Sequence, residues 1–144
     1  MILYLDASAL VKFYVDEEGI GQVRQGMQDS DLIATSEIAY VEVHAALARR
    51  YGEGALRPAD FRRVVRNLRA DWPQCFLITV SSDLVLRAGD IAERYHLRAY
   101  DAVHLTSGMA FQSHAGESVT FACWDRTPAD AAAKAGLRNL PARV

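Results

Sequence analysis

The sequence predicts an α/β fold, a three-layer α/β/α sandwich with a mainly parallel central sheet. Short apolar runs alternate with longer segments of helical pattern, which is typical of strands joined through helices. The first run, residues 2–5, shows no alternation of polar and apolar residues, as expected of a strand buried on both faces. It leads directly into a helical segment. We therefore expect a single domain over residues 1–144.

The predicted elements alternate along the whole chain. Strands are expected at residues 2–5, 32–35, 76–80 and 119–122, with a short fifth candidate at 137–140. Helices are expected at residues 7–14, 19–29, 36–51, 59–71, 83–95, 100–112 and 128–135. Ser36 with Glu37 is expected to open the third helix, and Ser81, Ser82 and Asp83 are the candidate caps of the fifth, because serine and aspartate are favoured N-caps. Pro58 suits a helix start, and Gly136 suits the end of the last helix.

Composition and charge exclude some classes of protein. The 144 residues have a net charge of −2, which argues against a nucleic-acid binder that uses its whole surface but leaves local basic patches open. No apolar stretch is long enough to cross a bilayer and no targeting segment is visible, so we expect a cytoplasmic protein without a membrane partner. The two cysteines have no metal-binding or redox spacing.

Asp6 is the first candidate functional residue. It follows the first predicted strand directly, which places it at the carboxyl edge of the sheet, where open α/β folds bind their ligands. Aspartate is also one of the preferred N-caps, so Asp6 could serve only to begin the following helix. Whether Asp6 is only a helix cap or also part of a binding site depends on whether other acids are expected near it.

Three more acids occupy positions that need an explanation. Glu42 has apolar residues three and four positions away on both sides of its helix, where a carboxylate is costly unless it is paired or reaches solvent. Asp101 lies in the first turn of a helix, which the helix dipole favours. His104, one turn later, could help to position a ligand, although packing or exposure to solvent is the simpler expectation. Asp125 follows an apolar strand, although it could simply be a turn residue.

If these four acids converge, electrostatics determines what must accompany them. Two like charges about 5 Å apart repel by roughly 3 kcal/mol at an effective dielectric constant near 20. Several carboxylates in one pocket must therefore take up protons or bind a hard cation. Ligation by oxygen alone suits Mg²⁺ or Mn²⁺.

Four motifs in this order make the chain resemble the PIN-domain nucleases, and specifically the VapC-type toxins of toxin–antitoxin pairs. They are residues 2–12, 39–43 around Glu42, 100–105, and 121–126. The resemblance covers essentially the whole chain. It implies a Mg²⁺- or Mn²⁺-dependent endoribonuclease that hydrolyses RNA phosphodiester bonds, as the toxin of a type II, VapBC-like pair.

The resemblance also implies roles for particular residues. The catalytic and metal-binding set is Asp6, Glu42, Asp101 and Asp125. Among these, Asp6 and Asp101 match the family's metal ligands most closely, and Ser8 matches a hydroxyl residue that hydrogen-bonds near the site. The chain departs from the family pattern at Cys123, where a serine or threonine is common, and a thiol is the poorer hydrogen-bond partner.

Partners follow from the same resemblance, namely an RNA substrate, a VapB-like antitoxin that masks the acids, and a second copy of the chain in a homodimer. The predicted hairpin of helices 36–51 and 59–71 is a candidate surface for protein partners. Candidate RNA contacts are Lys12, Arg62, Arg66 and Arg69, with Arg63, Arg94 and Arg98 as further cations. The arginines of helix 59–71 could equally form a solvated face.

Two alternative functions of the chain are a non-catalytic PIN-like binding module and a phosphotransfer or receiver-like α/β domain.

Overall fold

The centre of the fold is a sheet in which every strand is parallel to its neighbours. The structure, a computed structural model, describes residues 1–15 and 17–142. The strands of the described chain are β1 Ile2–Leu5, β2 Leu32–Ser36, β3 Phe76–Ile78, β4 Val119–Ala122 and β5 Arg138–Leu140. Their order across the sheet is β3-β2-β1-β4-β5, with all four pairings parallel. All five strands therefore have their carboxyl ends at the same edge.

Helices cover both faces of this sheet. They are α1 Ala7–Tyr14, α2 Ile20–Gln28, α3 Ala39–Gly52, α4 Pro58–Asp71, α5 Ser82–Tyr95, α6 Ala99–Ala115 and α7 Arg126–Lys134. Alternate side chains of β1 point to opposite faces. Leu3 and Leu5 pack with the buried residues of α1 to α4, whereas Ile2 and Tyr4 pack with those of α5 to α7. The predicted three-layer sandwich with a parallel sheet is confirmed.

The order of the strands explains where a ligand can bind. From β1 the chain moves outward to β2 and β3, and it then returns to the other side of β1 to form β4 and β5. The loops after β1 and β4 consequently leave the sheet in different directions, and a crevice forms at such a switch point. Asp6 follows β1 directly, and Asp125 begins α7 shortly after β4.

The main difference from the predicted elements concerns the start of α3. Ser36 was expected to open this helix, but it is the last residue of β2 and pairs with Ile78 of β3. The helix begins at Ala39, and the Ser36 hydroxyl accepts a hydrogen bond from the backbone N–H of Ile38 at 3.3 Å. Pairing with a neighbouring strand therefore extended β2 beyond its predicted end at residue 35. Ser81, in contrast, caps α5 as expected, accepting from the N–H of Leu84.

Helix α6 is also longer than predicted, because it continues to Ala115 and ends at Gly116 in the left-handed region, φ 70°. Glycine adopts this conformation without a steric penalty. In the part of the chain that the structure describes, no helix combines the length and apolar character needed to span a membrane.

Candidate active site

A cavity of about 300 Å³ lies beside the carboxyl ends of β1 and β4. Its walls include all four of the acids singled out in the sequence, Asp6, Glu42, Asp101 and Asp125. They come from the end of β1, from α3, from α6 and from the start of α7. Within residues 1–15 and 17–142, Arg98 is the one arginine that lines the cavity, and no lysine lines it. The fold thus brings four negative groups from distant parts of the sequence to one place.

Asp6 is nearly fully buried, with 3% of its surface exposed. Its Oδ1 accepts hydrogen bonds from the Ser8 hydroxyl at 2.6 Å and from the backbone N–H of Ala9 at 3.0 Å. The second bond makes Asp6 the N-cap of α1. Burial raises the pKa of Asp6 above its usual value, because the charged form loses its hydration. Asp6 is therefore both a helix cap and a wall of the cavity.

Ser8 connects the loops that follow β1 and β4. Its hydroxyl donates to Asp6 and accepts a hydrogen bond from the backbone N–H of Trp124 at 3.1 Å. One side chain therefore fixes the Asp6 carboxylate and the segment that leads to Asp125.

Glu42 lies in the first turn of α3, at the edge of the buried stripe formed by Ala39, Val43 and Leu47. Of its four apolar neighbours, Ala39 is buried but Ala45 is exposed, so the edge of this stripe is partly open to solvent. The carboxylate is nevertheless paired, because its Oε1 lies 2.6 Å from Nε2 of His104. This bond compensates part of the cost of holding a carboxylate beside the core.

His104 is buried and does not face solvent, with 2% of its surface exposed. Its Nδ1 lies 2.7 Å from the hydroxyl of Tyr4, which is fully buried in β1. Two signals for this contact were present in the sequence. His104 lies one helical turn after Asp101, and a tyrosine inside an otherwise apolar strand needs a partner for its hydroxyl.

Asp101 and Asp125 are both close to Arg98. The Arg98 Nε donates to Asp101 Oδ2 at 3.0 Å, and its Nη2 is 4.0 Å from Asp125 Oδ2. The Asp125 side chain is about half exposed, whereas that of Asp101 is mostly covered. Arg98 was considered as a remote phosphate contact, but the structure places it in the acidic cavity itself.

Cys123 occupies the position where the resembling family often has a hydroxyl residue. The thiol is buried and donates to the backbone carbonyl of Asp125 at 3.4 Å, and it also interacts with the Asp6 carboxylate. Its sulfur and one oxygen each of Asp6 and Asp125 lie within 4.8 Å of one another. Burial raises the pKa of Cys123, which keeps the thiol protonated.

A second depression, here called the basic groove, adjoins the acidic cavity. It is named after its three cations, Lys12, Arg49 and Arg50, and Tyr100 and Trp124 also line it. Its lining includes three carboxylates as well, those of Glu17, Glu42 and Asp125, and the last two are shared with the cavity. Glu17 forms ion pairs with Lys12 and Arg50. Arg49 forms no ion pair with any residue that the structure describes.

The predicted arginine cluster lies elsewhere. Arg62, Arg66 and Arg69 are exposed on α4 and line neither the acidic cavity nor the basic groove. Of the candidate RNA contacts, Lys12 lines the basic groove and Arg98 lines the acidic cavity. Arg49 and Trp124 were not expected in this role, because nothing local in the sequence relates them to Asp6.

Comparisons with known proteins agree on the fold. Residues 3–121 match the family model of the PIN domain. Ribonuclease VapC45 of Mycobacterium tuberculosis (strain CDC 1551 / Oshkosh) is 31% identical over 143 residues, which is 99% of this chain and 97% of the relative. The structure of FitAcB from Neisseria gonorrhoeae is similar with a TM-score of 0.68 at 16% identity, covering 92% of this chain and 94% of that chain. A toxin–antitoxin complex from Klebsiella pneumoniae gives a TM-score of 0.57 at 16% identity, covering 82% and 83%.

The burial of Asp6 generates a prediction about stability. A carboxyl group whose pKa is raised by folding contributes stability that is complete below its unfolded pKa and is lost as the pH rises through the folded pKa. At neutral pH in EDTA, Asp6→Asn should therefore melt at the same temperature as the wild type or higher, because asparagine keeps the cap without the buried charge. Thermal denaturation checks this. The control is Asp83→Asn, which changes an exposed carboxylate on α5 away from the cavity and should not raise the melting temperature. A clearly lower melting temperature for Asp6→Asn would contradict the interpretation.

Proposed function

Because the chain belongs to the PIN domain family, we propose that the acidic cavity is the active site of a metal-dependent endoribonuclease. The observation that carries the proposal is the convergence of Asp6, Glu42, Asp101 and Asp125 on one cavity. The similarity over nearly the full length to a protein named a ribonuclease supports RNA as the substrate. The proposed reaction is hydrolysis of a phosphodiester bond, and it needs no covalent intermediate.

The donor groups of the cavity fit a hard divalent cation. Four carboxylates with a single arginine leave an excess of negative charge that a cation would offset. Cys123 is not among the residues that line the cavity, so the acidic groups that face it offer oxygen ligands and not the thiolate that softer metals prefer. Oxygen ligands suit Mg²⁺ or Mn²⁺, and these are the proposed cofactors.

Each acid has a distinct part in this proposal. Asp6 and Asp101 are the principal ligands, and Glu42 and Asp125 hold a second ion or metal-bound waters. A bound divalent cation lowers the pKa of a coordinated water and offsets the charge that develops on the phosphate.

The other residues of the cavity hold the ligands in place. Ser8 and the N–H of Ala9 bind one oxygen of Asp6, and His104 binds one oxygen of Glu42. Arg98 binds one oxygen of Asp101. Each of these hydrogen bonds orients a carboxylate through one oxygen and does not involve the other oxygen.

The basic groove is the proposed path of the RNA away from the cut site. It is continuous with the acidic cavity, and Arg49 is a cation without an ionic partner in the described chain. Lys12 and Arg49 would contact phosphates, and the exposed ring of Tyr100 lies where the two depressions meet. The arginines of α4 remain a second, more distant candidate surface.

The alternatives predict different behaviour. A non-catalytic PIN-like module would bind RNA without cleaving it under any divalent ion. The family assignment gives no support to the phosphotransfer or receiver-like alternative.

We further propose that the chain is the toxin of a VapBC-like pair, acting in the cytoplasm. The support is the name of the relative at 31% identity and the similarity in fold to a toxin–antitoxin complex. A VapB-like antitoxin would then be its partner and would cover the acidic cavity.

The metal-ligand proposal predicts that Asp6→Asn and Asp101→Asn each lower the rate of Mn²⁺-dependent RNA cleavage on the order of 100-fold or more, because each removes a charged ligand. The matched control is Asp83→Asn, which changes another first-turn aspartate, on α5 and remote from the cavity. Cleavage of a labelled RNA with purified, folded variants measures the effect. Wild-type rates in either cavity variant would rule out the proposed ligand set.

The RNA path predicts a difference between two exposed arginines. Arg49→Ala should weaken RNA binding and reduce the slope of log K against log salt by about one, because one phosphate contact is lost. Arg66→Ala on α4 should change neither quantity. Fluorescence anisotropy with the inactive Asp101→Asn background and a labelled RNA, repeated at several salt concentrations, makes the comparison. The reverse result would assign RNA binding to α4.

The resemblance to VapC-type toxins predicts a homodimer. Light scattering of the purified chain should give a mass about twice that of the 15.9 kDa chain. A mass of one chain at all accessible concentrations would contradict this assembly.

A further inference from the structure

A chain of buried hydrogen bonds leads from the core of the protein to the acidic cavity. The Tyr4 hydroxyl in β1 is 2.7 Å from His104 Nδ1 in α6, and His104 Nε2 is 2.6 Å from Glu42 Oε1 in α3. Tyr4 is 0% exposed and His104 is 2% exposed. The Tyr4 ring is itself fixed, since it stacks on Phe121 of β4 with ring centroids 5.3 Å apart. Side chains from four elements therefore determine where the Glu42 carboxylate lies.

The chemistry of the groups sets the direction of the bond to Glu42. An ionised carboxylate can only accept, so the proton between His104 and Glu42 belongs to Nε2. At the other ring nitrogen, Nδ1 accepts from the Tyr4 hydroxyl in a neutral imidazole and donates to it in a protonated one. In both forms the hydrogen bonds connect Tyr4 through His104 to Glu42.

The cost of this arrangement indicates that it does more than fill space. A phenol hydroxyl and both nitrogens of an imidazole are buried beside apolar residues such as Leu105 and Phe121, and Ser107 also lies near the Tyr4 hydroxyl. Polar groups buried in this way must be satisfied, and an apolar side chain of similar size would avoid that requirement. The one end of the chain that reaches a cavity is Glu42, whose side chain is 18% exposed.

The geometry points to His104 as a positioning residue for Glu42, with Tyr4 holding His104 in place. In this role His104 orients the Glu42 carboxylate so that a single oxygen serves as a ligand of the divalent cation. This inference rests on the proposed metal-dependent function. Because His104 occupies Oε1, Oε2 is the oxygen of Glu42 that stays free for a cation or for its waters. Mg²⁺ and Mn²⁺ keep several waters and accept such ligands, whereas bidentate carboxylates are common around Ca²⁺.

The test is the affinity for Mn²⁺ in the absence of RNA. Titration calorimetry with MnCl₂ should show weaker binding by about 10- to 100-fold in His104→Leu, the range expected when the partner that orients a metal ligand is removed. Tyr4→Phe keeps the stacked ring and removes only the hydroxyl, and it should weaken binding by about fivefold. His104→Gln keeps an N–H that can reach Glu42 and should recover much of the affinity lost in His104→Leu.

His44→Gln is the matched control. His44 lies two residues after Glu42 in α3, bonds to the backbone carbonyl of Tyr40, and does not line the acidic cavity. This variant should bind Mn²⁺ as the wild type does. Melting temperatures in EDTA measure the effect of each substitution on the fold alone, so that affinity can be compared among variants that are fully folded at the temperature of the titration.

Several results would overturn the inference. One is wild-type Mn²⁺ affinity in folded His104→Leu or Tyr4→Phe, and another is an equal loss of affinity in His104→Gln and His104→Leu, which would indicate a packing role. If the wild type binds Mn²⁺ and cleaves RNA but the His104 variants do so equally well, only the positioning role fails. If the wild type neither binds Mn²⁺ nor cleaves RNA, the proposed function fails together with it.

Discussion

The mutual repulsion of four carboxylates is the constraint on which the site depends. Asp6, Glu42, Asp101 and Asp125 share one cavity of about 300 Å³ at the switch point of the sheet. The protein offsets part of this repulsion with its own groups, through hydrogen bonds to Asp6, the imidazole of His104 and the guanidinium of Arg98. These groups do not balance the charge. The remaining demand is for a small hard cation, and the PIN-domain fold therefore makes structural sense as a metal-binding scaffold.

Structural and functional roles coincide in these acids because a carboxylate has two oxygens. Asp6 caps α1 with Oδ1 and still borders the cavity. Glu42 sits at the edge of the buried stripe of α3, and Asp101 lies in the first turn of α6, where the helix dipole stabilises it. A structural role in the helix thus explains one part of each side chain, and its place in the cavity explains the other. The structural and functional interpretations of these acids therefore do not exclude each other.

The chain of Tyr4, His104 and Glu42 shows how the interior of the fold controls a site on its surface. Tyr4 and His104 can influence the site without contacting a substrate or an ion, because a metal ligand such as Glu42 binds well only when its orientation is fixed. Buried residues of β1, β4 and α6 pack around Tyr4 and His104, and two short hydrogen bonds connect this layer to α3. Arg98 and Asp125, at the starts of α6 and α7, are more exposed.

The sequence by itself determined the alternation of strands and helices, the parallel sheet and the identity of the four acids, because these follow from local periodicity, from caps such as Ser81 and from motifs. It did not determine that Ser36 would join β2, since this depended on pairing with Ile78 across the sheet. Nor did it place His104 against Glu42, Arg98 among the acids, or Arg49 beside them. Those contacts join residues far apart along the chain, and only strand order, register and helix packing bring them together.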